Sequence, residues 1–226
     1  MFFDPIYLVF LAPGILLSLW ASWNTKATFR KYSQVGSRKG WSGAEAAREL
    51  IKRRGAEGVE VEETPGFLSD HYDPGARRLR LSPDVYHGRS LAALGVAAHE
   101  AGHAIQHAKG YGPLKFRSWI VKPAMIGSNL SSLVLTLGFM SQLTGLVWIG
   151  IILFSAFVVF TLVTLPVEFD ASRRAKAELN KLGLTDRTDA EAVDKVLDAA
   201  AWTYVAAFLT SALSLLYYMR LASRSR

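Results

Sequence analysis

Residues 145–166 read GLVWIGIILFSAFVVFTLVTLP, and no charged side chain interrupts these 22 residues. A hydrocarbon core about 30 Å thick needs about 20 apolar helical residues to cross it, so this stretch reads as a transmembrane helix. Residues 5–23, 118–140 and 200–219 have similar length and few charges. With 146–166 as the third span, the chain reads as a mainly α integral membrane protein with four transmembrane helices. Lys122, near one end of the second span, can snorkel to the headgroups. The alanine-rich fourth span has the weakest pattern. The first has no basic leader and no small-residue cleavage site, and it reads as a retained anchor.

Immediately past Pro166 the sequence becomes charged: Val167-Glu168-Phe169-Asp170-Ala171-Ser172-Arg173-Arg174. Trp20 and Trp23 close the first span at interfacial depth, and Lys26, Arg30, Lys31, Arg38 and Lys39 follow. Positive charge beside a span marks its cytoplasmic end, so residues 24–117 and 167–199 are expected inside and the Ser141–Thr144 turn outside. Arg220, Arg224 and Arg226 then fall outside, against the same rule. The net charge of +7 therefore sits beside spans and anionic lipid, and no basic patch interleaved with aromatics points to nucleic acid. These features predict a multi-pass protein of the cell inner (plasma) membrane.

The segments follow as 1–23 (first span), 24–117 (a water-exposed domain), 118–166 (second and third spans), 167–199 (a helical segment) and 200–226 (fourth span and basic tail). Within 24–117, Ser42-Gly43-Ala44-Glu45 is a capping box that opens a helix, closed by Gly55. Val59 and Val61 alternate with glutamates and Arg78-Leu79-Arg80-Leu81 alternates again, which predicts a short antiparallel sheet with a hairpin turn at Asp73-Pro74-Gly75. Ser82-Pro83 reads as a helix start, and Ser90 opens a long apolar helix through His107 that Gly110 and Pro113 end. In the second span, Ala124, Ser128, Ser132 and Thr136 form a small polar stripe at four-residue spacing, read as a helix-packing face.

That long apolar helix contains Ala98-His99-Glu100-Ala101-Gly102-His103, an H-E-x-x-H pattern. Residues four apart share one helical face, so His99 and His103 can converge on one metal ion with Glu100 beside it as a general base. The chain has no cysteine, so disulfides and thiolate ligands are excluded and zinc must be held by His and carboxylate. A catalytic zinc takes a third protein ligand. His107 lies eight residues from His99, about 12 Å along the axis, too far for zinc–nitrogen bonds of about 2 Å. Glu168 is the better candidate, although a carboxylate there is also an ordinary helix-start residue. Asp170 is the weaker choice.

Asp70-His71-Tyr72-Asp73-Pro74, Leu79-Arg80-Leu81-Ser82, His99-Glu100-Ala101-Gly102-His103-Ala104 and Leu165-Pro166-Val167-Glu168-Phe169-Asp170-Ala171-Ser172 together resemble the YugP-like neutral zinc metallopeptidases of bacterial membranes. The likeness covers nearly the whole chain. More distantly the chain is similar to the HtpX-like membrane metallopeptidases, in which a Glu after a later membrane helix completes the site. The resemblance implies one Zn2+ ion, a zincin-like α+β domain facing the cytoplasm, and Glu168 as third ligand. Those relatives carry Asp four residues after that Glu, where this chain has Ser172. Either the Ser172 hydroxyl substitutes, or Asp170 supports a zinc histidine.

The expected activity is gluzincin-like endopeptidase hydrolysis of protein or peptide substrates, including unfolded or membrane proteins. The strand around Arg78–Leu81 would pair with an extended substrate. His71, Tyr72 and Tyr86 are candidates for stabilising the oxyanion, beside readings as turn or core residues. The alternative is a non-catalytic, metal-stapled membrane adaptor.

Overall fold

The computed structural model describes residues 5–224. Residues 1–4 of the first segment and Arg226 of the basic tail lie outside the described residues. The chain is mainly helical and runs α1 (Pro5–Ser33), α2 (Gly43–Arg53), β1 (Glu60–Glu63), β2 (His71–Asp73), β3 (Arg78–Leu81), α3 (Pro83–Tyr86), α4 (Leu91–Ala108), α5 (Gly112–Met140), α6 (Thr144–Lys181) and α7 (Arg187–Arg224). Among the described residues, four helices (α1, α5, α6 and α7) are long and apolar enough to cross a membrane.

The long helices overrun the apolar segments read from the sequence. α6 continues through Pro166 to Lys181 without a break. An interior proline costs about 3 kcal/mol. Beyond Pro166, α6 buries Val167, Ala171, Ala175 and Leu179 along one face, and burying a Val or Leu side chain contributes about 1.5–3 kcal/mol each, enough to offset it. Pro113, expected to help end α4, sits in the first turn of α5, where a missing N–H costs nothing. Gly110, at φ 64°, performs the α4 termination.

The described residues form two compact units: 5–21, 115–166 and 202–224 make up one, and 22–114 and 167–201 the other. In the first, glycines let helices touch at the backbone. A Cβ on Gly14 of α1 would meet Thr210 Oγ1 of α7 at 2.6 Å, and one on Gly138 of α5 would meet the Val147 nitrogen of α6 at 2.8 Å. Large side chains such as Leu16, Ile126, Ile152 and Leu162 are exposed, the inverse of a water-facing surface.

The expected packing stripe on α5 is corrected. Ser132 and Thr136 are exposed, while Ala124, Gly127, Ser131, Leu135 and Gly138 are buried. A helix turns 100° per residue, so each four-residue step drifts 40° and a strict i+4 stripe leaves the interface. The observed face alternates steps of three and four.

In the second unit α4 is the central element, with Ala92, Ala93, Ala97, Ala98, Ala101 and Ala104 all buried. Small residues on every side admit close neighbours. The Ser90 hydroxyl accepts from the Ala93 N–H to cap its start. α2 opens with the expected capping box, in which Ser42 and Glu45 exchange hydrogen bonds. Arg54, at the end of α2, makes two hydrogen bonds to Glu178 of α6, at 2.5 and 2.6 Å.

The sheet is mixed rather than wholly antiparallel, with strand order β1-β3-β2. β2 and β3 form the expected hairpin around Asp73, whose carboxylate accepts from Gly75 and Ala76 N–H. β1, however, pairs with β3 in parallel. The intervening β2 reverses the chain once more than the alternation of two strands indicated. With neighbours on both sides β3 has no free edge, so the substrate pairing expected at Arg78–Leu81 is excluded. β2 is the edge strand that contacts α4. Asp70 fixes the entry to β2 by accepting from the Ser82 N–H and hydroxyl, at 2.8 and 3.0 Å, so Ser82 spends its hydroxyl there instead of capping α3.

Candidate metal centre

Two helices of the second unit supply the centre. Gly102 of α4 packs against α6 so closely that a Cβ there would stand 2.7 Å from the Ala171 carbonyl oxygen. This backbone contact sets the separation between the histidine face of α4 and Glu168 of α6. His99 Nε2 lies 3.1 Å and His103 Nε2 3.3 Å from Glu168 Oε2. The two imidazoles stand edge to face, with centroids 4.8 Å apart. One ligand atom from each of the three residues lies within 4.8 Å of the other two, so His99, His103 and Glu168 can hold a metal ion.

The atoms behind this cluster fit a metal-binding arrangement. His99 Nδ1 meets the Ser172 hydroxyl at 3.0 Å, and His103 Nδ1 meets Gln106 Oε1 at 3.0 Å. Both Nδ1 atoms are therefore engaged from outside, and both Nε2 atoms face the carboxylate. At His103, whose Nδ1 faces an amide oxygen that only accepts, a neutral ring turns its Nε2 lone pair on the Glu168 carboxylate, which is repulsive unless a cation lies between them, whereas His99 Nε2 can donate to that oxygen. Glu168 is 2 % exposed, so water does little to relieve that repulsion. The donor set of two imidazoles and one carboxylate is one that zinc accepts, with outer hydrogen bonds of the kind that orient ligating histidines.

Glu100 follows His99 and is also buried. Burial pushes its carboxyl up to about 7, and the charges of Glu168 and Asp70 add to the rise. The charge on His99 and the Tyr72 backbone N–H, which donates to the Glu100 carboxyl, pull the other way. That rise belongs to the metal-free centre, and a cation held beside Glu100 would favour the carboxylate, the form that accepts a proton.

The remaining sequence candidates divide. Ser172 and Asp170 both join the centre's surroundings, Ser172 directly at His99 and Asp170 through Gln106, whose amide N–H donates to Asp170 Oδ2 at 2.9 Å. Tyr72 touches Glu100 with its backbone, while its hydroxyl bonds His107 Nδ1 at 2.8 Å. His107 is thus an outer partner of Tyr72. His71 is exposed and bonds the Ser69 carbonyl. The Tyr86 hydroxyl accepts from Arg48 at 2.5 Å. The structure does not bring His71 or Tyr86 into the hydrogen bonds of the cluster. Sequence reasoning missed Gly102 and Gln106. The available signals were a glycine inside an otherwise good helix and a lone amide among alanines, three residues after a ligand candidate.

Two comparisons bear on this centre. Residues 7–223 match the model of a family described as "Putative neutral zinc metallopeptidase". The chain is 44% identical over 221 residues to a Bacillus subtilis (strain 168) protein named "Putative membrane protease YugP", covering 98% of this chain and 97% of that one. No solved structure matches the chain. With its buried His–His–Glu cluster and four apolar helices, the chain belongs to the neutral zinc metallopeptidase family, as a multi-pass membrane protein.

Proposed function

We propose that this protein is a membrane-embedded zinc endopeptidase that hydrolyses peptide bonds at the cytoplasmic face. The observation that carries the reading is the convergence of His99 Nε2, His103 Nε2 and Glu168 Oε2 in one buried cluster. Those three atoms hold one zinc ion, and Glu100 is the general base. Zinc in such a site supplies Lewis-acid polarisation of the scissile carbonyl and brings the pKa of a water to about 7. The Glu100 carboxylate accepts a proton from the attacking water, then returns it to the leaving amine as the C–N bond breaks. Ser172 orients His99, and Asp170 acts on His103 through Gln106.

An extended peptide would lie along the outer edge of β2, taking over the Tyr72 N–H that now donates to Glu100, and such backbone pairing asks little of the side-chain sequence. Unfolded proteins and membrane proteins are the substrate classes this suits. Of the oxyanion candidates, Tyr72 has the support of proximity, since its backbone reaches Glu100. In this reading residues 24–117 and 167–199 carry the peptidase, and the cluster from Lys26 to Lys39 supports a cytoplasmic location for them by the positive-inside rule. A cysteine replacing Arg224 should be labelled only from outside the cell. Labelling from the cytoplasm would remove the fourth crossing.

The deciding test is cleavage of unfolded casein by the purified protein in detergent, with and without Glu100→Gln. Cleavage by the parent, with loss of about 100-fold or more in Glu100→Gln at unchanged zinc content, is expected. A zinc-loaded parent that cuts neither casein nor itself would favour a metal-stapled adaptor.

A further inference from the structure

We infer that Gln106 is a positioning residue for the metal centre, whose side-chain amide fixes which nitrogen of His103 carries the proton. The inference rests on the proposed zinc site and extends it to a residue that binds no metal.

Gln106 is 0 % exposed, on the turn of α4 that follows His103. Its NH2 group donates to the Val167 carbonyl at 2.8 Å and to Asp170 Oδ2 at 2.9 Å, both on α6. Neither acceptor can reverse its role. A carbonyl oxygen has no proton, and the Asp170 carboxylate is held ionised by Arg173 and by Arg174, whose Nε lies 2.5 Å from Oδ2. Flipping the amide would set its oxygen against two acceptors in a buried place, which costs about 1–3 kcal/mol for each group left unsatisfied. The NH2 must therefore face α6, and Oε1 must face His103 Nδ1 at 3.0 Å.

An amide oxygen only accepts, so the neutral imidazole of His103 carries its proton on Nδ1. Its Nε2 is left with a lone pair directed at the cluster, the form that ligates a metal. His99 is not fixed this way, because the Ser172 hydroxyl at its Nδ1 can donate or accept. Gln106 thus gives the site one pre-set ligand, and it couples that ligand to the packing of α4 on α6.

The test uses the full-length protein in detergent with 15N-labelled histidine, together with zinc affinity measured against a competing chelator. Gln106→Met keeps the length and apolar bulk of the side chain but removes the amide. Zinc affinity is expected to fall 10–100-fold, the usual cost of losing an outer partner. In the metal-free variant at alkaline pH, His103 should show both neutral tautomers in place of the Nδ1–H form of the parent. Unchanged affinity, or weaker affinity with the tautomer still locked, overturns the inference. Should the variant fail to fold, the metal-free parent decides alone: Nδ1–H at His103 supports the inference and Nε2–H overturns it. A parent that binds no zinc removes the functional reading and this inference together, whereas a zinc-binding parent with an indifferent Gln106→Met removes this inference only.

Discussion

The two units pack helices by the same device and satisfy their polar groups by opposite ones. In both, a glycine admits a neighbouring backbone: Gly14 and Gly138 in the membrane unit, Gly102 in the unit that holds the His–His–Glu cluster. In the membrane unit the hydroxyls mostly bond carbonyls of their own helix, as Ser131 does to Ser128, Thr136 to Ser132, Ser155 to Ile151 and Thr164 to Phe160, and the cross-helix pairs Ser18–Thr210 and Thr161–Ser211 each keep such a bond as well. In the other unit the polar groups reach across the chain, as in His99–Ser172, Gln106–Asp170, Arg54–Glu178 and Ser82–Asp70. A hydroxyl satisfied within its own turn makes no demand on its neighbours. A buried amide satisfied by another helix fails when that helix moves. The lesson is that the membrane unit should tolerate polar substitutions that the metal-binding unit does not.

The sharpest way to break this contrast is Glu168→Gln. Losing the only carboxylate of the cluster should weaken zinc binding by more than the roughly 10–100-fold typical of an outer partner, as read by chelator competition. Unchanged affinity would remove Glu168 from the ligand set.

A second effect follows from the burial of Glu100, whose carboxyl rises from 4.5 to about 7. Below pH 4.5 the group is protonated in both the folded and the unfolded chain. Between 4.5 and 7 the unfolded chain releases the proton and the folded one keeps it, so the metal-free protein loses stability as pH rises through that window, by up to about 3 kcal/mol. Unfolding of the metal-free parent and of Glu100→Gln across that range isolates the contribution, and parallel pH curves would contradict it.

Gly102→Ala should cost about 1–3 kcal/mol and weaken zinc binding, because its Cβ has no room against Ala171. Gly95→Ala, two turns earlier on nearly the same face of α4, meets only the Val193 and Val196 side chains, none closer than 3.4 Å, and should be neutral or stabilising. Equal behaviour of the two variants in an unfolding experiment would mean that the α4–α6 contact does not set the site. The smallest effect belongs to the membrane unit. Thr136→Val removes a hydroxyl bonded only within its own turn, and should change stability by no more than about 0.5 kcal/mol.

The sequence was legible where chemistry is local. The capping box of α2, the hairpin around Asp73 and the long apolar segments each depend on residues a few positions apart. Two histidines four apart require one helix and nothing else. Glu168 could be found without knowing the fold, because a zinc pattern short of one ligand directs attention to carboxylates elsewhere. What escaped was set by tertiary contact. β1 gave a strand signal but no sign of its parallel partner, since direction is decided by where β2 turns the chain. The α5 stripe was read at four-residue spacing, and only the 3.6-residue turn against α6 shows that the buried face drifts across it. Gln106 looked like an ordinary polar position until Val167 and Asp170 were placed opposite its amide.

The central claim is that His99, His103 and Glu168 hold one zinc ion, and zinc K-edge absorption on the purified, zinc-loaded protein tests it most directly. One zinc per chain is predicted, with nitrogen and oxygen neighbours at about 2.0–2.2 Å and loss of the site in His103→Gln. A parent that retains no zinc, or a spectrum unchanged by His103→Gln, would contradict it.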